Sequence, residues 1–275
     1  MMTASRSTSS RSTSSAPISR DLMRQLAPSI FADSPSERMK ERYKFIPTIE
    51  VVDILADKGF LPMRVSQSKT QIEGKGDFTK HMIRFRSNEL AQDLVVGQEI
   101  PELVLVNSHD GTSAYKFLSG IFRVVCINGL ITQSADFGSV SVRHTGGKDF
   151  HERVIDATYE VMDEAPKTLA TIADWKQIQL SPPQANAFAL AASELRDNDN
   201  FQPVKLLTTR RRDDQARDVW TTSNVIQENI MKGGIHGHSP NGRRSTTRPI
   251  KSVGEDLRIN RALWRLTEEL AKIAG

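Results

Sequence analysis

Strand-like alternation in this chain is confined to its middle, residues 78–144, and helical periodicity takes over from residue 149. A chain that spells out its strands first and its helices afterwards builds an antiparallel sheet with helices segregated from it, the α+β class. Residues 78–86 place His81, Ile83 and Phe85 on one face and Met82, Arg84 and Arg86 on the other, as a strand does. Residues 102–107 are short, apolar and β-rich, and Ser108-His109-Asp110-Gly111 closes them as a turn. Residues 112–118 and 121–127 follow, split by a turn or bend at Ser119-Gly120; Asn128-Gly129 makes the next turn, and residues 138–144 alternate once more. The expectation is a mostly antiparallel sheet of about five strands.

Helices flank this region. Ser19 caps a short helix over residues 19–31 that Pro28 cuts, and Thr48 caps a second over 48–58, with Ile49, Val52, Leu55 and Ala56 facing inward until Gly59. After the sheet, Phe150, Val154, Ala157, Val161 and Met162 recur at helical spacing in a pattern running to residue 178. Further helices follow Ser181-Pro182-Pro183 to residue 195, then occupy 216–231 and 257–273. The predicted organisation is a disordered Ser/Arg-rich tail over residues 1–18 and a single α+β domain over 19–275. That domain has a sheet-rich half (19–148) and a helical half (149–275). The tail repeats Ser-Arg-Ser-Thr-Ser-Ser at residues 5–10 and 10–15 and has no amphipathic apolar stripe, which argues against an organelle transit peptide.

Charge is unevenly distributed. Residues 205–251 hold ten Lys and Arg against four Asp and Glu, whereas residues 25–204 are net acidic and the whole chain is +4. A basic segment on an acidic body points to a polyanion, and nucleic acid, DNA first, is the usual one inside a cell. Within it, residues 233–248 are rich in glycine, hydroxyls and arginine and have almost no large apolar residues. Glycine lets the main chain approach an anion, and arginine offers a planar fork to phosphate oxygens. The same composition also suits a solvated loop. The candidate phosphate contacts are Lys232, Arg243, Arg244, Arg248 and Lys251, with Arg210, Arg211 and Arg212 assisting. This segment has no apolar helical face to lay on a membrane.

Catalytic and metal signals are weak. The run is not a Walker A loop, and no zinc-hydrolase, kinase or nucleophile-elbow signature occurs. His109 and Asp110 are adjacent, but neighbours in a turn point in different directions and Asp-Gly is a common hairpin signal. His236 and His238 form an H-x-H pair without further ligands nearby, and Cys126, His144 and His151 join them only if folding brings them together. Cys126, the only cysteine, rules out an internal disulfide and sits in the apolar run Val124-Val125-Cys126-Ile127, where it reads as core. Trp264 lies on an apolar helix face; Trp220 is open to a base-stacking role.

Several motifs carry a resemblance. They include Ala27-Pro28-Ser29-Ile30-Phe31, Tyr43-Lys44-Phe45-Ile46-Pro47-Thr48, Phe78-Thr79-Lys80-His81-Met82, the stretch from Leu105 to Ser113, and the stretch from Phe122 to Leu130. Gln227-Glu228-Asn229, residues 242–248 and Asn260-Arg261-Ala262-Leu263-Trp264 complete the set. Over residues 25–272 the chain resembles the phage- and plasmid-associated bacterial proteins of the domain-of-unknown-function family DUF932. The resemblance implies a mobile genetic element and a bacterial cytoplasm, and transfers no catalytic residue. The His236-Gly237-His238 pair is not part of its pattern.

The reading is therefore a non-catalytic nucleic-acid-binding accessory protein of a phage or plasmid, with no cofactor and no metal, suited to single-strand binding or annealing. The alternatives are a nucleic-acid-processing enzyme using His109 and Asp110, and a protein-binding factor acting against host defence.

Overall fold

The computed structural model describes residues 16–37, 39, 43–90, 97–123, 139–142, 150–196, 201–238 and 241–275. The turn expected at Asn128-Gly129, the core position of Cys126, His144 and residues 1–15 of the tail lie outside these. The architecture is α+β. A five-stranded antiparallel meander runs in the order β1 (Phe60–Gln67), β2 (His81–Ser87), β3 (Glu99–Asn107), β4 (Tyr115–Arg123) and β5 (Ser139–Val142).

The alternation expected of β2 holds. Ile83 and Phe85 join Leu103, Leu105, Tyr115 and Phe117 in one core, which α1 (Arg20–Leu26), α2 (Thr48–Asp57) and α3 (Phe150–Asp163) cover. Met82, Val104, Val106, Leu118 and Phe122 face the other way and meet Val253 and Leu257 of α7 (Val253–Ala274). Beyond the sheet, α4 (Ala165–Trp175), α5 (Pro182–Ser193) and α6 (Val219–Lys232) pack with α7 into a helical core. The long helix α7 supplies Ile259 and Leu263 to one part of it and Trp264 and Ala271 to another.

Four local expectations need correction. The first strand, β1, did not stand out in the sequence: it is an edge strand with Pro62 inside it and a register shift between Pro62 and Arg64. Ser119-Gly120 is no turn, because β4 runs straight through it. A Cβ on Gly120 would lie 2.5 Å from the Phe122 ring and 3.0 Å from Val104, so the glycine makes room for a packed aromatic. The periodicity from residue 149 to 178 is two helices, parted at Glu164, with Pro166 in the first turn of α4. Pro47, not Thr48, occupies the cap of α2; the inward face is Thr48, Val51, Val52 and Leu55.

The Thr48 hydroxyl is instead the hub of a buried polar cluster. It lies 2.9 Å from His81 Nε2 and 3.1 Å from His109 Nε2, and accepts from Asn107 Nδ2 at 3.0 Å. The proton positions follow from the partners. Gln67 Nε2 donates to the Gly76 carbonyl, which fixes its amide and makes Oε1 the acceptor of the Ser29 hydroxyl at 2.8 Å. Ser29 Oγ must then accept from His81 Nδ1 (2.8 Å), as the Thr79 carbonyl also does (3.2 Å). His81 Nδ1 therefore carries a proton, and the Nε2 atoms of His81 and His109 both address the Thr48 hydroxyl. This cluster ties α2 to strands β2 and β3.

Candidate nucleic-acid interface

The Gly/Arg-rich segment forms a platform whose shape its glycines set. After α6 the chain passes through Gly233 and Gly234 into an antiparallel hairpin, β6 (His236–His238) with β7 (Arg244–Thr246). The Gly234 amide donates to the Thr247 carbonyl, and the Thr247 amide to that of Ile235, both at 2.9 Å. Gly233 has φ 64°, and a Cβ there would lie 2.6 Å from the Thr247 carbonyl oxygen and 2.7 Å from the Arg248 carbonyl carbon. This glycine lets two backbone segments approach one another. Arg196, beyond the end of α5, clamps the same junction by donating from Nη1 to the Ile230 carbonyl (2.5 Å) and from Nη2 to the Arg248 carbonyl (2.8 Å). Lys205 Nζ adds a bond to the His236 carbonyl at 2.8 Å.

The eight candidate cations fall into two groups. Arg243, Arg244, Arg248, Lys251 and Arg212 are exposed, and among the described residues none of these five makes an ion pair with a carboxylate. The other three are tied to partners within the fold, although Arg210 is also exposed. Arg210 donates from Nε to Asn229 Oδ1 (2.8 Å) and from Nη2 to the Gly233 carbonyl (2.7 Å). Arg211 grips buried Glu228 with both terminal nitrogens, at 2.9 and 2.6 Å, and reaches Asp214 at 3.1 Å. Lys232 pairs with the same Glu228, and Asp214 also holds Arg123 of β4 at 2.5 Å. These contacts fasten the end of α6 to the sheet.

His109 and Asp110 do not face one another in a relay. The His109 ring is fully buried against Phe45 and His81 and bonds Thr48. The Asp110 carboxylate accepts from the Thr112 amide (3.1 Å) and hydroxyl (2.6 Å) and pairs with Lys75 at 3.5 Å. Burial opposes its ionisation, but Thr112, Ser108 and Lys75 together outweigh that and hold its carboxyl below the usual range. Beside it, burial first and Asp110 second push the Tyr43 phenol up to about 12. Trp220 is buried against Trp175 and bonds Glu99 Oε1 at 2.9 Å, so its ring is core; Trp264 stacks on the same Trp175. His236 and His238 sit exposed on β6, and among the described residues no group of three His, Cys, Asp or Glu is placed to hold a metal. No helix among those residues is long and apolar enough to cross a membrane.

The family model described as "Domain of unknown function (DUF932)" matches residues 36–264. The chain belongs to this family. Two Escherichia coli (strain K12) proteins, UPF0380 protein YafZ and UPF0380 protein YfjQ, are each 38% identical over 257 residues, 92% of this chain and 92% of theirs. No solved structure matches. Within the matched span, Gln227 donates to Asn260 Oδ1 at 2.8 Å, joining α6 to α7, and Asn229 Nδ2 bonds the Leu206 and Thr208 carbonyls.

A second set of cations escaped the sequence reading. Lys80 and Lys116, at one corner of the sheet, and Arg258, Arg261 and Arg265 of α7 line a groove of about 710 Å³ that Ala191 and Leu195 close on the α5 side. Residues 252–275 hold four basic and four acidic residues, so no charge excess marks them. The spacing of 258, 261 and 265 on one helix face was the available signal.

Proposed function

We propose that this protein is a non-catalytic nucleic-acid-binding accessory factor, in the phage or plasmid setting and bacterial cytoplasm that the family resemblance implies. The observation that carries the reading is the clamped hairpin. It holds Arg243, Arg244 and Arg248 in solvent, without carboxylate partners among the described residues, on a base fixed by Gly233, Arg196 and Lys205. Such cations meet phosphate oxygens, which gives affinity and salt dependence but no base readout. That suits single-strand binding or annealing, where sequence must be ignored. The engagement of His109 by Thr48 and of Asp110 by Thr112 and Lys75 supports a non-catalytic role.

Fluorescence anisotropy with labelled single-stranded DNA, duplex DNA and RNA at several salt concentrations tests the reading. The triple variant Arg243→Ala/Arg244→Ala/Arg248→Ala is expected to bind more weakly, with a log–log salt slope smaller by roughly two to three. Absence of binding by the unmodified protein at low salt overturns it.

A further inference from the structure

The groove beneath α7 gathers like charges, most of them without a carboxylate partner among the described residues. Lys80, Lys116, Arg258, Arg261 and Arg265 line it with a single carboxylate, Glu269. Arg258 is held by Glu255 at 2.5 Å, and Glu269 pairs with Lys272 at 2.7 Å. Among the described residues Lys80, Lys116, Arg261 and Arg265 make no ion pair, and the Nε of Arg261 is buried without a hydrogen-bond partner. Burial, then Arg261 and Lys80, pulls the Lys116 ammonium below its ordinary value; burial and then Arg265 do the same to Arg261. A buried guanidinium nitrogen without an acceptor, among cations that repel one another, is destabilising until an anion enters.

We propose that this groove binds neighbouring phosphates of a single-stranded polynucleotide, with Lys116 and Arg261 as the central contacts. The inference rests on the nucleic-acid reading above and adds the form of the strand. The volume lies in the range of small-ligand pockets, roughly 300–1,000 Å³, enough for a few nucleotides of flexible strand but not for a duplex cylinder. Leu195, Leu257 and Leu266 give it apolar surface for sugars and bases, while Lys80, Lys116, Arg261 and Arg265 supply the charge. The groove also adjoins the hairpin. Arg258 Nη2 donates to the Leu195 carbonyl at 2.7 Å, and the next residue, Arg196, holds the Arg248 carbonyl at the hairpin base. Leu195 of the groove wall and Arg248 of the hairpin base are thus joined through Arg196.

The test compares Lys116→Gln/Arg261→Gln with the hairpin triple variant, using one labelled short DNA strand and its duplex. The groove variant is expected to lose about tenfold or more in single-strand affinity, with a salt slope smaller by roughly 1.4 for two single-strand contacts, and to bind duplex unchanged. Its unfolding midpoint should stay level or rise, because repulsion has been removed, which separates lost binding from lost folding. Unchanged single-strand affinity and slope in the groove variant, alongside weakened binding in the hairpin variant, overturn the groove and leave the hairpin reading standing. Loss in the groove variant alone keeps the groove and removes the hairpin. A parallel titration with inorganic pyrophosphate should raise the melting temperature of the unmodified protein and not of the groove variant. If that shift occurs in a protein that binds no polynucleotide, the strand assignment falls and only a phosphate site remains.

Discussion

Replacing Gly233 by alanine tests how the Gly/Arg-rich segment is held. At φ 64° and ψ −149° the residue occupies a region that essentially only glycine visits, which costs a side-chain-bearing residue about 1–3 kcal/mol. The added Cβ would also lie 2.6–2.8 Å from backbone atoms of Thr247 and Arg248, which cannot rotate aside as a side-chain end does. The hairpin base must shift, endangering the bond from the Gly234 amide to the Thr247 carbonyl, worth about 0.5–1.5 kcal/mol. The combined expectation is a loss of about 2–4 kcal/mol. Gly234→Ala is the matched control: its φ is 82° but nothing lies within 4 Å of the new atom, so only backbone strain of about 1–2 kcal/mol applies. Urea unfolding followed by tryptophan fluorescence gives the global term, and hydrogen exchange at the Thr247 and Ile235 amides gives the local one. Equal effects of the two substitutions, or Gly233→Ala within about 0.5 kcal/mol of the unmodified protein, would refute the close-approach argument.

Three further expectations follow from buried polar groups. Glu228→Gln leaves Arg211 and Lys232 without their shared carboxylate and should destabilise by about 3 kcal/mol, near the lower end for a broken buried pair because both cations keep some solvent, measured by chemical denaturation. Thr48→Val removes the group that His81, His109 and Asn107 all address, and a loss on the order of 3 kcal/mol is expected in the same assay. Asp110 has a folded-state pKa below its unfolded value, so its contribution is present above about pH 4 and disappears as pH falls through the lower folded value. Asp110→Asn should therefore reduce stability at pH 7 and narrow its gap to the unmodified protein below about pH 4, as thermal unfolding across pH would show.

The sheet and most helix positions were legible because they rest on local chemistry. Ser19 accepts from the Leu22 amide at 3.3 Å at the start of α1, and α5 opens at Pro182, as Ser181-Pro182-Pro183 suggests. What the sequence obscured depended on tertiary partners. Gly120 reads as a bend because glycine usually marks one, yet the Phe122 ring it accommodates is held by Arg84, whose guanidinium carbon lies 3.2 Å from the ring centroid. Arg84 in turn bonds buried Glu102 at 2.7 Å. Splitting β4 in two supplied a spurious strand just as Pro62 concealed β1, so the expected count of about five was reached with one wrong member. Thr48 reads as a cap because threonine before an apolar helix usually is one; only the fold brings His81, Asn107 and His109 to its hydroxyl.

For the interface, formal charge misdirects in both directions, and for one physical reason. A cation attracts a polyanion to the extent that folding leaves it without a carboxylate. In residues 205–251 the acids are few, yet Glu228 and Asp214 are placed so that they engage Arg211 and Lys232, while Arg210 turns to Asn229 and the Gly233 carbonyl. Those three side chains are thereby directed to partners within the fold, and among the described residues the hairpin arginines remain without a carboxylate. In α7 bases and acids cancel on paper, but Glu255 goes to Arg258, Glu269 to Lys272, and Glu268 accepts from Trp264 Nε1 at 2.9 Å. Arg261 and Arg265 are left over on the groove side, where Lys80 and Lys116 arrive from the sheet. A neutral helix thus presents a positive wall. The residues proposed to meet a strand are the ones whose acidic neighbours in sequence are engaged by other partners, as Glu255 is by Arg258 and Glu269 by Lys272.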